Sequence, residues 1–264
     1  MRYSLGVLAL LSSLVSAGEF STAEAPTAGC PGDFFTKKAK IFDAVTICAT
    51  QHVADSKLQH AANVTAQWLD NNQDGVVDEP RLIVPLQGNH ATLLMSSEGF
   101  SDQAFDKLEP YFDHMVGQDL AANETNPQRQ RDASQEEIHH LIVNAGWQSY
   151  LPAVFSDSKT QRSEIYKQWQ LAEQQGLYKY DDPTCDDACK TIEFFYLGTA
   201  AYLGSKADLE NDEMRVKTRE ELQHMLPGLV KIFESKRYHY PLVQWPDGNY
   251  AFSSNIAYVG TQLK

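Results

Sequence analysis

Beyond residue 17 the chain has no apolar run approaching the ~20 residues that a bilayer-spanning helix requires. It also lacks a Gly-x-Gly-x-x-Gly fingerprint, a phosphate loop, a Gly-x-Ser-x-Gly elbow and any internal repeat. Dinucleotide, nucleotide, serine-hydrolase and solenoid readings therefore have no anchor. Basic residues are scarce, with 22 Lys and Arg against 35 Asp and Glu and a net charge of −13. No basic run with interleaved aromatics offsets that balance. Nucleic acid and anionic membranes are excluded as expected partners, whereas divalent cations suit such a surface.

Cysteine is limited to Cys30, Cys48, Cys185 and Cys189, which allows two disulfides in three pairings. The local pairing joins Cys30 to Cys48 and Cys185 to Cys189; a cross-pairing would tie the amino-terminal segment to the later helix. Met1–Ala17 reads as a cleaved secretory signal. Arg2 is its positive end, Leu5–Leu14 its apolar region and Val15-Ser16-Ala17 its small-residue cleavage pattern. Removing residues 1–17, whose one charge is Arg2, leaves −14. Export to an oxidising compartment favours disulfides over a thiolate metal site and gives meaning to the sequons at Asn63 and Asn123. Residues 18–29 form a small, polar, flexible leader. With 42% hydrophobic residues, residues 30–264 can bury the core of a single domain, with an extracellular substrate or partner of unstated identity.

The sharpest chemical signal is Ser134–Trp147, SQEEIHHLIVNAGW. Ser134 followed by Glu137 is a capping-box pattern, predicting a helix from Gln135. Ile138, Leu141, Ile142 and Ala145 make one apolar face, while Val143 and Trp147 fall opposite, so the helix is expected to be buried on both sides. Glu136, His139 and His140 would be buried with it, and buried ionisable groups need partners. Glu136 reaches His139 at i,i+3 and His140 at i,i+4, the helical spacing of metal-ligating side chains. Adjacent residues diverge by about 100°, so His139 and His140 are not both expected to reach one ion, and His140 is the favoured one. The motif lacks both the His-Glu-x-x-His order and its inverse, so its similarity to zincin peptidases is weak. Glu193 is the one ionisable acid or base in the apolar stretch after Lys190, and it is the expected further ligand. A structural ion pair and a solvent-facing edge are the competing readings.

A second cation loop is written in Asp70–Glu79, DNNQDGVVDE. Asp70, Asn72 and Asp74 take positions one, three and five of an EF-hand-type loop. Gly75 supplies the turn, and the Val76 carbonyl and Asp78 follow. Arg81 stands where the closing glutamate belongs, leaving Glu79 or a distant carboxylate to complete a calcium shell. An acidic turn without a metal is the plain alternative.

Around these motifs the pattern predicts a mainly α (α+β) fold, a single helical domain with a small β element. Phe34–Leu69 reads mainly as helix, with His52 and His60 at solvated or cap positions and Trp68 in the core. Leu82–Leu86 and Ala91–Met95 read as two strands about a turn holding His90, with a short helix pair as the competitor. Gly117–Arg131 reads as a polar loop able to supply a ligand such as Glu124. Helical periodicity resumes over Ser149–Tyr178, with Tyr166, Trp169 and Leu171 inward, and again after Asp186. Thr218 and Glu221 form a capping box, and Tyr240–Lys264 is turn-rich.

Several segments together resemble a family of secreted, largely uncharacterised proteins: residues 69–79, 117–127 (GQDLAANETNP), 133–147, 182–196 (DPTCDDACKTIEFFY) and 246–250 (PDGNY). The resemblance implies secretion and domain integrity but no reaction. Two function classes follow from the residues. One is a secreted zinc-dependent hydrolase, with Zn2+ on Glu136, His139 or His140, and Glu193, and with Glu137 as the base; the loop then holds structural Ca2+. The alternative is a non-catalytic, metal-stabilised binding protein in which the same cluster is a closed site. Whichever holds, alkylation of the exported protein without reduction should label no cysteine, folded or denatured. Four labelled thiols would redirect attention to a cysteine metal site.

Overall fold

Two strands, Lys37–Ile41 (β1) and Val45–Ala49 (β2), pair antiparallel with Ile41 opposite Val45. The chain reverses through Phe42 and Asp43, both at positive φ, the backbone that matches a hairpin's twist. This hairpin replaces the helix expected from Phe34 onward; helix begins only at Asp55. The computed structural model describes residues 29–31, 34–128 and 130–263. The expected signal segment 1–17 and leader residues 18–28 lie outside the described residues.

Thr92–Ser96 (β3) lies parallel to β2, and Gly117–Ala121 (β4) parallel to β3. Ile256–Val259 (β5) closes the other edge antiparallel to β1, giving the order β4-β3-β2-β1-β5. Parallel neighbours need crossovers. Asp55–Leu69 (α1) lies in the first, and the short helix Asp102–Leu108 in the second. Of the expected strand pair around His90, the later one stands as β3. Leu82–Leu86 is instead a 3-10 turn running into the helix Ile83–Gly88. The polar 117–131 segment hides β4, and the turn-rich end hides β5. The molecule is otherwise mainly helical, as the periodicity predicts.

Three longer helices follow among several short ones: Ala133–Ile142 (α2), Glu164–Gln174 (α3) and Asp187–Leu203 (α4). One apolar cluster runs from Ala39 in β1 to Ile256 in β5 and takes in all four helices. α2 packs against α1, β4 and α4, so Ile138, Leu141, Ile142, Val143, Ala145 and Trp147 are all buried. Trp68 also lies in the core, and its indole N–H donates to the Gln135 carbonyl, fastening α1 to α2. Tyr166 and Trp169 point inward as expected, but Leu171 is exposed on the opposite side of α3. Gly198 lets α4 meet the helix Pro227–Phe233, since a Cβ there would fall 2.6 Å from a Leu229 methyl. Both local disulfides are present, Cys30–Cys48 and Cys185–Cys189. Among the described residues no helix is long and apolar enough to cross a membrane.

The start of α2 differs in a way that bears on chemistry. The helix is capped by Asp132, whose carboxylate accepts from the Ser134 N–H and hydroxyl, rather than by a Ser134–Glu137 box. Asp132 also accepts from the Asn126 N–H and lies 2.5 Å from His60 Nε2. His60 is therefore a buried partner on α1, not a solvated residue, whereas His52 is exposed. Burial alone would raise the Asp132 pKa, but the bonds from His60, Asn126 and Ser134 hold it below the usual carboxylate range. That carboxylate contributes stability at neutral pH that is lost as pH falls through its depressed pKa. Asp132→Ala removes a cap worth roughly 0.5–2 kcal/mol and orphans a buried imidazole at roughly 1–3 kcal/mol. Denaturant unfolding should show a loss of about 2–4 kcal/mol; a loss below about 0.5 kcal/mol would contradict this role.

Candidate metal centre

With Asp132 as cap, Glu136 and Glu137 both stand in the first turns of α2, about 100° apart, and His140 follows between them. Glu193 comes from the second turn of α4, which its own cap fixes: the Asp186 carboxylate accepts from the Ala188 and Cys189 N–H groups. Cys185–Cys189 ties the approach to that first turn. Packing α4 on α2 brings Glu193 to the imidazole, with 3.7 Å between Glu193 Oε2 and His140 Nε2. Glu136, His140 and Glu193 each offer a donor atom within 4.8 Å of the others. Glu136 and His140 are buried, and the Glu193 side chain is 15% exposed.

His140 Nε2 is buried and has no hydrogen-bond partner, an arrangement that native interiors rarely leave unexplained. Its other nitrogen, Nδ1, lies 3.8 Å from Glu137 Oε2. Glu137 in turn accepts from the Gln118 side-chain amide, 2.5 Å away on β4. The two ring nitrogens thus face different carboxylates. Glu136 is held by Arg131, which also lies 3.7 Å from the buried Asp208. Asp208 accepts from the Tyr196 hydroxyl and from Ser205.

Desolvation dominates the electrostatics of the centre. It lowers the His140 pKa to about 4, outweighing the nearby Glu136 charge, so the ring is neutral near pH 7. Burial and the neighbouring Glu136 raise Glu193 to about 9. Burial and Glu136 likewise raise Glu137 to about 8 against the Gln118 hydrogen bond. Without a cation these two acids hold protons at neutral pH. A divalent ion among the three donors would supply the charge that those protons otherwise provide.

His139, expected as an alternative ligand, is turned away. The step of about 100° from His140 carries it between Trp68, Phe195, Tyr196 and Tyr240, and its Nε2 shares a 2.7 Å hydrogen bond with the Tyr240 hydroxyl. Glu124 and His90 are exposed and outside the cluster. Gln118 and Arg131 were missed by sequence reasoning. Gln118 lay in a segment read as loop, and Arg131 carried no signal beyond one base ahead of an acidic helix. Asn63 is half-buried on α1 with its amide donating to the Gly248 carbonyl, while Asn123 stands exposed in a turn.

The Asp70–Asp78 loop is shaped by its own hydrogen bonds. Asp70 is fully buried; one oxygen accepts from the Asp74 N–H, the other from the Gly75 N–H and the Tyr250 hydroxyl. Asp78 accepts from the Asn71 N–H, and Asp74 from the Val76 N–H. Asn72, Asp74, Val76 and Asp78 share the wall of one surface concavity. Among the described residues, Asp70, Asp74 and Asp78 are not a group with converged donors. Glu79 does not complete a shell: Arg81 grips both its oxygens, at 2.6 and 2.5 Å, and the His239 N–H donates to it.

A cavity of about 230 Å³ opens beside the α2–α4 cluster, lined by Gln118, His140, Asn144, Asp157, Ala188, Cys189, Ile192 and Glu193. Asn144 reaches it from Val143–Trp147, a π-helical turn that continues α2. Such turns are frequent at functional sites because they redirect side chains out of helical register. No family model, curated protein or solved structure matches this chain.

If Glu193 is held where the geometry places it, Glu193→Gln should keep the fold and show the same far-UV circular dichroism. His140→Phe should also fold, because a buried neutral ring replaces a buried neutral ring. Collapse of either variant would show that the cluster is a folding element in its own right.

Proposed function

We propose that Glu136, His140 and Glu193 hold a zinc-type divalent ion and that the chain is a metal-dependent hydrolase of the exported class. The carrying observation is the buried, unpartnered Nε2 of His140, which faces Glu193 at the wall of an open cavity. Imidazole nitrogen and carboxylate oxygen are both zinc ligands, and catalytic zinc sites take three protein donors and keep a fourth position free for water. The cavity supports that open position. When bound, the ion would lower the pKa of such a water and polarise a carbonyl.

In this reading Glu137 stands on the Nδ1 side of His140, with Gln118 fixing it. A carboxylate there orients the ring and favours the tautomer that presents Nε2 to the ion. This shifts Glu137 from the expected base toward a positioning role. Arg131 holds Glu136 and prevents it from swinging into solvent.

The non-catalytic alternative, a closed structural site, is favoured by no comparable observation. Calcium at Asp70–Asp78 is a separate proposal, supported by the spacing and by the concavity that Asn72, Asp74, Val76 and Asp78 share. It predicts that chelation lowers the melting temperature of the wild type and that Asp74→Ala abolishes the difference. An unchanged melting temperature and calcium content in both would leave the loop as a turn.

For the α2–α4 centre, reconstituted wild type should retain about one equivalent of zinc, the one-ion stoichiometry of such sites. Loss of outer-shell groups alone weakens such sites by about 10–100-fold, so His140→Ala should weaken binding by more than that. Zinc retained by His140→Ala and Glu193→Gln at wild-type affinity would sink the assignment. Zinc bound without metal-dependent hydrolysis across ester and peptide panels would leave the binding protein and remove the enzyme.

A further inference from the structure

The cavity beside the centre carries a charge that the three donors do not use. Asp157, in the segment after the short helix Pro152–Phe155, is half-buried and forms part of the wall. Among the described residues its carboxylate makes no hydrogen bond or ion pair. No lysine or arginine lines the cavity. The nearby Lys159 is directed instead to Asp187, at 3.6 Å.

The remaining polar wall is amide. Gln118 spends its NH2 on Glu137 and keeps a carbonyl oxygen free. Asn144 accepts from the Gln148 amide through Oδ1 and keeps its own NH2 free. Ile192 and the Cys185–Cys189 bridge supply a short apolar, rigid stretch. No lysine or arginine of the wall would receive an anionic group there, and Asp157 would repel it. A compact cation would meet an acid without a counter-charge, a free carbonyl and a free amide donor. At about 230 Å³ the space takes one small residue rather than a length of polymer.

We infer that the cavity binds the primary ammonium group of a small substrate through Asp157, so that molecules with a free amine are selected over their N-acylated, neutral counterparts. The inference rests on the metal-centre reading, which places the reacting group next to this wall. Asp157 is a specificity-determining residue in this account and has no part in holding the ion. Its lack of partners means that Asp157→Asn removes the charge without breaking an existing contact.

The test uses zinc-loaded protein, with zinc content measured on the same samples, and calorimetric titration with leucinamide and with N-acetyl-leucinamide. Work near pH 7 keeps most of the α-amine protonated, since its pKa is about 7.7–8.0. A charged hydrogen bond of the ordinary strength corresponds to about 10–100-fold in affinity. The wild type should therefore bind leucinamide at least tenfold more tightly than the acetylated compound. Asp157→Asn should lose that preference, retain its equivalent of zinc and bind the acetylated compound as before. Equal binding of both amides by zinc-loaded wild type, binding of neither, or a preference that survives Asp157→Asn would overturn the inference with the metal centre intact. Wild type that takes up no zinc would overturn the centre and this inference together.

Discussion

Three glutamates, Glu136, Glu137 and Glu193, surround one neutral imidazole at the packing of α4 on α2, and Arg131 is the cation that pairs with Glu136. Two like charges 4 Å apart repel by about 4 kcal/mol even at an effective dielectric of 20. The packing of α2 between α1, β4 and α4 buries Glu136 and leaves the Glu137 and Glu193 side chains 25% and 15% exposed. The cluster must therefore carry protons, as the raised Glu137 and Glu193 values imply, or receive a cation. That constraint gives the other features around α2 their purpose. Asp132 sets where the helix begins, Arg131 holds the first acid, Gln118 holds the second and the α4 cap delivers the third.

Five of the segments singled out in the sequence sort into two places in the fold. Residues 117–127, 133–147 and 182–196 supply Gln118, Glu136, Glu137, His140, Asn144 and Glu193, which surround the cluster or its cavity. Residues 69–79 and 246–250 meet elsewhere, where Tyr250 donates to Asp70 and the buried Gln67 accepts from the Asp247 and Gly248 N–H groups. Asn71 extends the same seam by accepting from the Val243 and Gln244 N–H groups. One group of segments therefore surrounds the Glu136, His140 and Glu193 cluster, and the other locks the carboxyl-terminal strand to the end of α1.

Much of the site was legible because helical geometry is local. The i,i+4 spacing of Glu136 and His140, the two apolar faces of their helix and the isolation of Glu193 in an apolar run are all properties of single segments. The same arithmetic indicates that His139 and His140 do not share one ion. What could not be read depends on strand pairing and on choices among nearby polar groups. β4 has a polar face, so Gln118 looked like loop. Ala and Lys diluted the alternation in β1, so the hairpin looked helical. Ser134 and Glu137 fit a capping box as well in sequence as Asp132 does in space, and that ambiguity hid the freedom of Glu137. Asp157 sits in an irregular segment and carries no periodic signal at all.

The most direct test of the central claim is anomalous diffraction from crystals of the zinc-reconstituted protein, recorded above and below the zinc edge. The account predicts one strong peak with His140 Nε2 and oxygens of Glu136 and Glu193 at about 2.0–2.2 Å and a side open to the Asp157 cavity. A peak elsewhere, or none at all, would show that these three side chains do not hold the metal.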